Sequence, residues 1–233
     1  QAERGVVAVE NSLHGSINAV YRLLARSEIW VSGEAFLHIE QYLIGAPKSP
    51  GSLDTLEKVI SQPPAIAQCE LWLENNVPNA RIEEFHDTAE SVRYVTEHSD
   101  EACAAIAGKH AAELYGGNIL AGPINDDEHN YTRFFLIGND KGHTAAADKT
   151  SIILRTNHQP GALFNAIGAF AQAGINLSKL DSHPIAGDNQ HYAFYIDFEA
   201  GLNDKLEHDI FDVLRDQGCT VTVLGSYVAK NGV

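Results

Sequence analysis

The run TSIILRT at Thr150–Thr156, followed by Pro160-Gly161 and then ALFNAIGAFAQA at Ala162–Ala173, decides the architecture of the second half of the chain. Ile152, Ile153 and Leu154 make the first run strand-like, and Pro160 suits the opening of a helix. Leu163, Phe164, Ile167, Phe170 and Ala171 then recur at helical spacing until Gly174 stops the pattern. Downstream, Ile175–Ile185 and His191–Ala200 read as two strands joined by Ala-Gly-Asp-Asn. Tyr192, Phe194, Ile196 and Phe198 alternate as one strand face should. Leu202–Gln217 carries Leu206, Ile210, Val213 and Leu214 on one helical face, ends at Gly218, and leads into the β-run Cys219–Val228. The order βαββαβ is the ferredoxin-like arrangement.

Upstream of this module, GNDKGHTAAADK at Gly138–Lys149 is polar, Gly/Ala-rich and without apolar periodicity, which predicts a linker between residues 1–140 and 148–233. The first segment alternates extended and helical candidates. Gly5–Glu10, Ile29–Ile44, Arg81–Phe85, Ala104–Ala107 and Thr132–Ile137 read as extended, and Ser16–Ser27, Pro63–Glu74, Thr88–His98 and Lys109–Tyr115 as helical. Such alternation predicts α/β layers.

At 233 residues and 44% hydrophobic content the chain can bury packed cores in one or two domains. Sixteen Lys+Arg against 31 Asp+Glu give a net charge of −15, which argues against nucleic acid or an anionic membrane as partner. Any anionic ligand must therefore meet locally placed donors. Cys69, Cys103 and Cys219 are odd in number and far apart, as reduced thiols of a cytoplasmic protein would be. No apolar run has membrane-spanning length, and no signal-peptide pattern opens the sequence. The histidines show neither HExxH nor paired Cys/His spacing, so no metal site is expected. With Gln1 first and no methionine, the sequence is not expected to be a complete open reading frame as translated; trimming, or modified methionines omitted from it, would each account for this.

Three polar clusters interrupt the apolar runs of the first segment where a strand meets a turn or a helix. They are Glu10-Asn11-Ser12, Ser61-Gln62-Pro63-Pro64 and Asn130-Tyr131-Thr132-Arg133-Phe134. Strand and helix ends are where α/β folds collect ligands. Each cluster also has an ordinary reading. Ser61 is placed to cap a helix opened by prolines, and Asn11 and Ser12 suit a turn. Asp126-Asp127-Glu128 reads as a solvated loop.

Taken in order, GVVAVENSLHGSI, SQPPAIAQC, HDTAESV and INDDEHNYTRFFLIG resemble the catalytic domain of prephenate dehydratases, with the NxTRF string the most specific piece. The second segment resembles the ACT regulatory domain of that family. Gly161-Ala162-Leu163-Phe164 is similar to its GALV motif and Asp181-Ser182-His183-Pro184 to its ESRP motif. The resemblance implies a two-lobed catalytic domain like the periplasmic solute-binding proteins, with substrate in the cleft, followed by the ACT domain. It implies conversion of prephenate to phenylpyruvate with loss of water and carbon dioxide, without a cofactor. It further implies phenylalanine bound between ACT domains of a homodimer or homotetramer. Arogenate dehydratase, a bifunctional enzyme joined to a chorismate mutase, and a non-catalytic amino-acid-responsive binding protein are the alternatives.

Carried onto this sequence, the resemblance makes Thr132 the residue that hydrogen-bonds the leaving oxygen, with Glu10, Asn11 and Arg133 as further catalytic candidates. A threonine hydroxyl is a very poor acid, so Thr132 would position or relay a proton rather than supply one unaided. Arg133 suits a bidentate carboxylate clamp, yet strand alternation turns Thr132 and Arg133 to opposite faces, so holding an acidic partner structurally is the equal alternative. Glu10 beside an anionic substrate would be either a protonated acid with raised pKa or the partner of a lobe-bridging donor. Ser12, Ser61, Gln68, Thr88, Asn130 and Phe134 are the substrate-binding candidates. Gly161, Ala162, Leu163, Asn176, Leu177, Asp181, Ser182, His183 and Pro184 are the effector-binding ones. The sequence departs from the family pattern in SQPP for SHPQ, in His38-Ile39-Glu40-Gln41 where the family has a His-containing stretch, and in Asp181 and His183 for Glu and Arg. A glycine-rich loop expected upstream is not in this sequence.

Overall fold

A computed structural model describes residues 3–47, 52–99, 102–141, 146–185 and 188–230. Residues 142–145 of the expected linker, and Ala186-Gly187 of the expected hairpin turn, lie outside them. In chain order the elements are β1 (Arg4–Asn11), β2 (Gly15–Ser16), α1 (Asn18–Leu24), β3 (Trp30–His38), β4 (Tyr42–Gly45), a 3-10 turn (Leu53–Thr55), β5 (Lys58–Ser61), α2 (Pro63–Ala67), α3 (Glu70–Asn76) and β6 (Arg81–Glu84). There follow α4 (Thr88–Glu97), β7 (Cys103–Ala107), α5 (Lys109–Tyr115), β8 (Asn118–Ala121), β9 (Tyr131–Gly138), β10 (Lys149–Arg155), α6 (Ala162–Gln172), β11 (Leu177–Ile185) and β12 (Asp188–Phe198). A continuous helix, α7, runs from Asp204–Leu206 through the π-turn Glu207–Asp212 to Val213–Asp216, and β13 (Thr220–Tyr227) ends the fold.

Two compact units emerge from the contacts: residues 1–37 with 131–233, and residues 38–130. In the first, β10–β13 form an antiparallel sheet of order β11-β12-β10-β13, the ferredoxin-like order. Alternation on β10 and β12 sends Ile152, Leu154, Phe194, Ile196 and Phe198 to one face, where they bury Ala166, Phe170, Ile210, Phe211 and Leu214 of α6 and α7. Ile153, Tyr195 and, on β13, Leu224 and Tyr227 point the other way. They pack on Val9, Val31 and Phe135 of a second sheet, of order β2-β1-β9-β3, and on Tyr21 and Leu24 of α1. Each large side chain so buried contributes roughly 1.5–3 kcal/mol. Gly225 lies at the point of closest approach, where an added Cβ would fall 2.0 Å from the Val31 carbonyl oxygen.

The second unit is a five-stranded sheet of order β6-β5-β7-β4-β8, in which β5 runs parallel to β6 and β7. Its central strands are apolar on both faces, as parallel strands covered by helices are. Val59, Ala104 and Ile106 pack on Ala65, Cys69 and Leu73, while Ile60, Ala105 and Ala107 pack on Val92, Val95, Ala111 and Ala112. The carboxyl ends of β5, β6 and β7 consequently share one edge with the starts of α2, α4 and α5.

Several boundaries differ from the sequence reading. Ile29–Ile44 is two strands, because Tyr42–Gly45 pairs with β7 and β8 in the other unit. Pro63–Glu74 is two helices. The Asp126 carboxylate accepts from Leu71 N at 2.9 Å and Trp72 N at 2.8 Å, starting α3 afresh after Cys69, so Asp126 is a capping residue and not merely a solvated loop. Strands β5 and β8, four residues each, had no clear signal in the sequence. Contacts group residues 1–37 with the ferredoxin-like module because two sheets share a core there, a line of division different from the 1–140 and 148–233 sequence segments.

Candidate active site

Strands β1 and β9 pair antiparallel, with Asn11 opposite Thr132 and Glu10 opposite Arg133 after a bulge between Ala8 and Glu10. Bulges re-aim side chains, and this one sits at the segment that carries the ENS string. The Asn11 Oδ1 accepts from the backbone N–H of Leu13 at 3.0 Å and of His14 at 3.1 Å, and His14 Nδ1 lies 3.1 Å from it. That fixes the amide orientation, so Asn11 Nδ2 must face Tyr131 O and Thr132 Oγ1, each at 3.2 Å. Asn11 is thus both the expected turn residue and a donor to Thr132. Having accepted an N–H, the half-buried Thr132 hydroxyl directs its proton away from Asn11. Ser12 closes the same loop, its Oγ accepting from Tyr131 N at 2.9 Å while Ser12 N donates to Tyr131 O at 2.9 Å.

One residue further along, alternation turns Glu10 and Arg133 to the opposite face. Arg133 is buried with Glu34 Oε2 at 2.7 Å and Asp197 Oδ2 at 2.5 Å, and donates to Tyr227 Oη at 3.1 Å. Burial alone would lower its pKa, but the charges of Asp197 and Glu34 with the Tyr227 hydroxyl hold it above the usual guanidinium value. The geometry is that of the structural alternative for Arg133, a cation engaged by acids on both sides. Ser151 ties Asp197 and Tyr227 together at 2.5 and 2.7 Å, and Lys149 reaches Glu34 at 3.0 Å. Burial, and then the charge of Asp197, push the Tyr227 and Tyr21 hydroxyls well above the ordinary phenol value. Glu10 Oε1 lies 2.9 Å from Lys179 Nζ, a donor of the ferredoxin-like module in the same unit and not one of the second unit. A cavity of about 250 Å³ on this side is lined by Glu10, Ser12, Tyr131, Arg133, Lys179 and Asp197. Lys179 and Asp197 were missed in the sequence. The available signal was an acid inside the apolar run of β12.

The second unit holds Ser61, Gln68, Thr88 and Asn130. Ser61 is fully buried, and its Oγ donates to Ile106 O at 2.6 Å, so it does not cap α2. The capping position is held by Gln62, whose side chain donates to His86 O at 2.8 Å instead. The N-cap of α4 is Asp87, accepting from Glu90 N at 2.8 Å, and the half-buried Thr88 is the first helical residue. Gln68 is buried and accepts from Gln41 Nε2 at 3.0 Å. Gln41, on the stretch that departs from the family pattern, takes the Asn125 side-chain oxygen on its own N–H at 2.7 Å. Asn130 is buried, with its carbonyl accepting from Ile39 N at 2.7 Å. Phe134 is half-buried on β9.

The effector candidates lie at two neighbouring places in the ferredoxin-like module. Gly161 takes a left-handed φ of +83° to start α6, with Ala162 and Leu163 in its first turn. Leu177 opens β11 directly after Asn176, whose carbonyl accepts from Glu199 N at 2.9 Å. Asp181, Ser182, His183 and Pro184 pair with Tyr195, Phe194, Ala193 and Tyr192. Asp181 and His183 contact each other at 2.9 Å, and the His183 ring stacks on Tyr195. Burial pushes Asp181 up, but hydrogen bonds from Ser16 and His183, with the charges of His183 and Lys179, hold it below the usual carboxylate range. Among the described residues no cluster of His, Cys, Asp and Glu is arranged to hold a metal, and no helix is long and apolar enough to cross a membrane.

Comparison with known proteins bears on this arrangement. The family model "PDT: Prephenate dehydratase" matches residues 1–142. A bifunctional chorismate mutase/prephenate dehydratase of Aquifex aeolicus is 35% identical over 97% of this chain and 61% of its own length. Arogenate dehydratase 5 of Arabidopsis thaliana is 36% identical over 97% of this chain and 57% of its own. The chain therefore spans about three fifths of these relatives. Among solved structures, prephenate dehydratase from Arthrobacter aurescens in complex with L-Phe superposes with a TM-score of 0.84 at 30% identity, over 97% of this chain and 75% of that one. A protein described as a novel type of quorum quenching acylase, GqqA, gives 0.83 at 29% identity, over 98% and 83%. The fold is thus the α/β catalytic architecture of these enzymes joined to a ferredoxin-like module, and the chain belongs to the prephenate dehydratase family.

Proposed function

We propose that the protein is a prephenate dehydratase, a carbon–oxygen lyase acting within phenylalanine biosynthesis. The carrying observation is the Asn11–Thr132 hydrogen bond across β1 and β9, in a chain of this family. In the reaction the ring carboxylate leaves as carbon dioxide, its C–C bonding pair enters the ring, and the ring hydroxyl departs with one proton as water. Aromatisation drives this, so the protein's task is orientation and assistance to the leaving oxygen. Thr132, its lone pair engaged by Asn11, presents its O–H outward as donor to that oxygen and relays a proton from solvent. The acyl-transfer chemistry suggested by the GqqA description is less well served, because the partner of the Thr132 hydroxyl is an amide and not a base.

On this reading Arg133 supports β9 from its buried face, and Ser12, Gln68, Thr88, Asn130 and Phe134 contribute to substrate binding. The segments 1–140 and 148–233 act as catalytic and ACT domains. Phenylalanine, the ligand of the Arthrobacter relative, binds near Asn176, Leu177 and Ser182 in a homodimer or homotetramer and lowers activity. Three free, buried cysteines suit a reducing, cytoplasmic setting. Arogenate is the second substrate to test, since the Arabidopsis relative is named for it and the two substrates differ only in amine against ketone. Parallel assays of prephenate and arogenate turnover, with and without phenylalanine, test the assignment. Phenylpyruvate formation from prephenate supports it; phenylalanine formed from arogenate alone assigns the second reading, and neither product removes both.

A further inference from the structure

The pair next to Asn11 and Thr132, Glu10 opposite Arg133, faces a third cross-strand pair, Lys179 opposite Asp197 on β11 and β12. Glu10 contacts Lys179 at 2.9 Å, Arg133 contacts Asp197 at 2.5 Å, and Arg133 approaches Glu10 at 3.6 Å. Opposite charges alternate through this chain of contacts, so the catalytic sheet and the ferredoxin-like sheet hold each other by matched registers. Lys179 is also fixed by Ser16 Oγ at 2.8 Å, and its side chain is only 9% exposed. We infer that Lys179 and Asp197 are positioning residues for the dehydratase reaction: through Glu10 and Arg133 they set the geometry of the β1–β9 segment that presents Asn11 and Thr132.

The argument is geometric. Neither residue shares the face of Thr132, so neither touches the reacting atoms, yet each holds the immediate chain neighbour of one member of the catalytic pair. A misplacement of that pair by a fraction of an ångström acts on the transition state more than on ground-state binding. Lys179 also lies between Leu177 and Ser182, two of the positions proposed for the effector, so a shift of β11 on ligand binding would move its grip on Glu10.

This inference rests on the dehydratase reading of Thr132, and one kinetic experiment on the full-length protein separates the two. Lys179→Met, Glu10→Gln and the double variant are compared with the parent in prephenate turnover, with circular dichroism as the check on fold. Lys179→Met is expected to lower kcat about tenfold while KM stays within about twofold, equivalent to about 1.4 kcal/mol. Lys179→Arg should restore most of the loss. The double variant should be no slower than Glu10→Gln alone, since Lys179 acts through Glu10. Asp197→Asn, a variant of unchanged shape, should show the same split of kcat from KM. Additive losses in the double variant, an unchanged kcat in folded Lys179→Met, or failure of Lys179→Arg to restore activity would each overturn the inference while leaving the dehydratase reading intact. Absence of turnover in the parent protein would instead remove that reading, and the inference with it.

Discussion

Asn11 and Thr132 are opposed across the β1–β9 ladder with the amide donating to the hydroxyl at 3.2 Å, while the other end of the same amide holds the Leu13 and His14 N–H groups. One side chain thus shapes the turn and aims the hydroxyl. Thr132→Ala should lower kcat by about 10²–10⁴-fold, the usual contribution of a positioned proton-transfer group, with little change in the melting curve. Steady-state kinetics beside a thermal melt read both quantities, and Thr132→Ser should retain much of the activity.

Asn11→Asp separates the two duties. A carboxylate still accepts from Leu13 and His14, but it can no longer donate to Thr132, so the threonine proton turns inward. A loss of about 10²-fold in kcat is expected, comparable to removing one oriented donor, with a modest fall in stability because the amide bond to Tyr131 O is lost as well. Asn11→Ala should lose both activity and loop order, visible as faster hydrogen exchange at Leu13 and His14.

Arg133→Ala leaves Glu34 and Asp197 buried without their shared cation. Breaking a buried ion pair from one side costs about 3–5 kcal/mol, so the urea midpoint should fall sharply at neutral pH. Arg133→Lys should recover only part, because an ammonium cannot reproduce the spread of donors that reaches Glu34, Asp197 and Tyr227 together.

Asp181 has its folded-state pKa lowered by Ser16, His183 and Lys179 against the opposing effect of burial. A depressed carboxylate pKa contributes stability that is present above the ordinary value of about 3.9 and disappears as pH falls through the lowered one. Asp181→Asn should therefore be less stable than the parent at pH 7, and the difference should shrink as the pH drops below about 4. Urea midpoints across that range, at fixed salt, measure it.

Burial pushes the Cys69 thiol up to about 12 and raises Cys219 as well. At pH 8 the native protein should leave both thiols unalkylated by iodoacetamide, with full labelling in urea. Mass spectrometry of the labelled peptides gives the result directly.

Much of the fold was legible because periodicity and its stops were clean. Five of the six helical stretches, bounded by Gly174, Gly218 and polar breaks, recur as the single helices α1, α4, α5, α6 and α7, with ends that shift by a few residues. The Asn11 and Thr132 positions were legible through the ENS and NxTRF strings. The break within Pro63–Glu74 was not, because the acid that starts α3 stands at Asp126, more than fifty residues away. The Ser61 capping reading failed for a similar reason: Ser61 ends β5, and its hydroxyl finds the Ile106 carbonyl of the neighbouring strand before any helix begins. Lys179 and Asp197 were invisible as partners of Glu10 and Arg133, since strand register between distant segments is set by packing that no local pattern records.

Strand β1 has only the two-residue β2 as a local ladder partner, and its long partner β9 lies some 120 residues further along the chain. During synthesis residues 38–130 leave the ribosome with every strand of their own sheet already present, while β1 and β3 wait for β9 and then for the whole ferredoxin-like module. Until β9 is made, β1 is an apolar strand whose backbone groups on the β9 side lack their ladder partner. Slow, chaperone-sensitive maturation of this unit follows from its interrupted connectivity, independently of how stable the finished protein becomes.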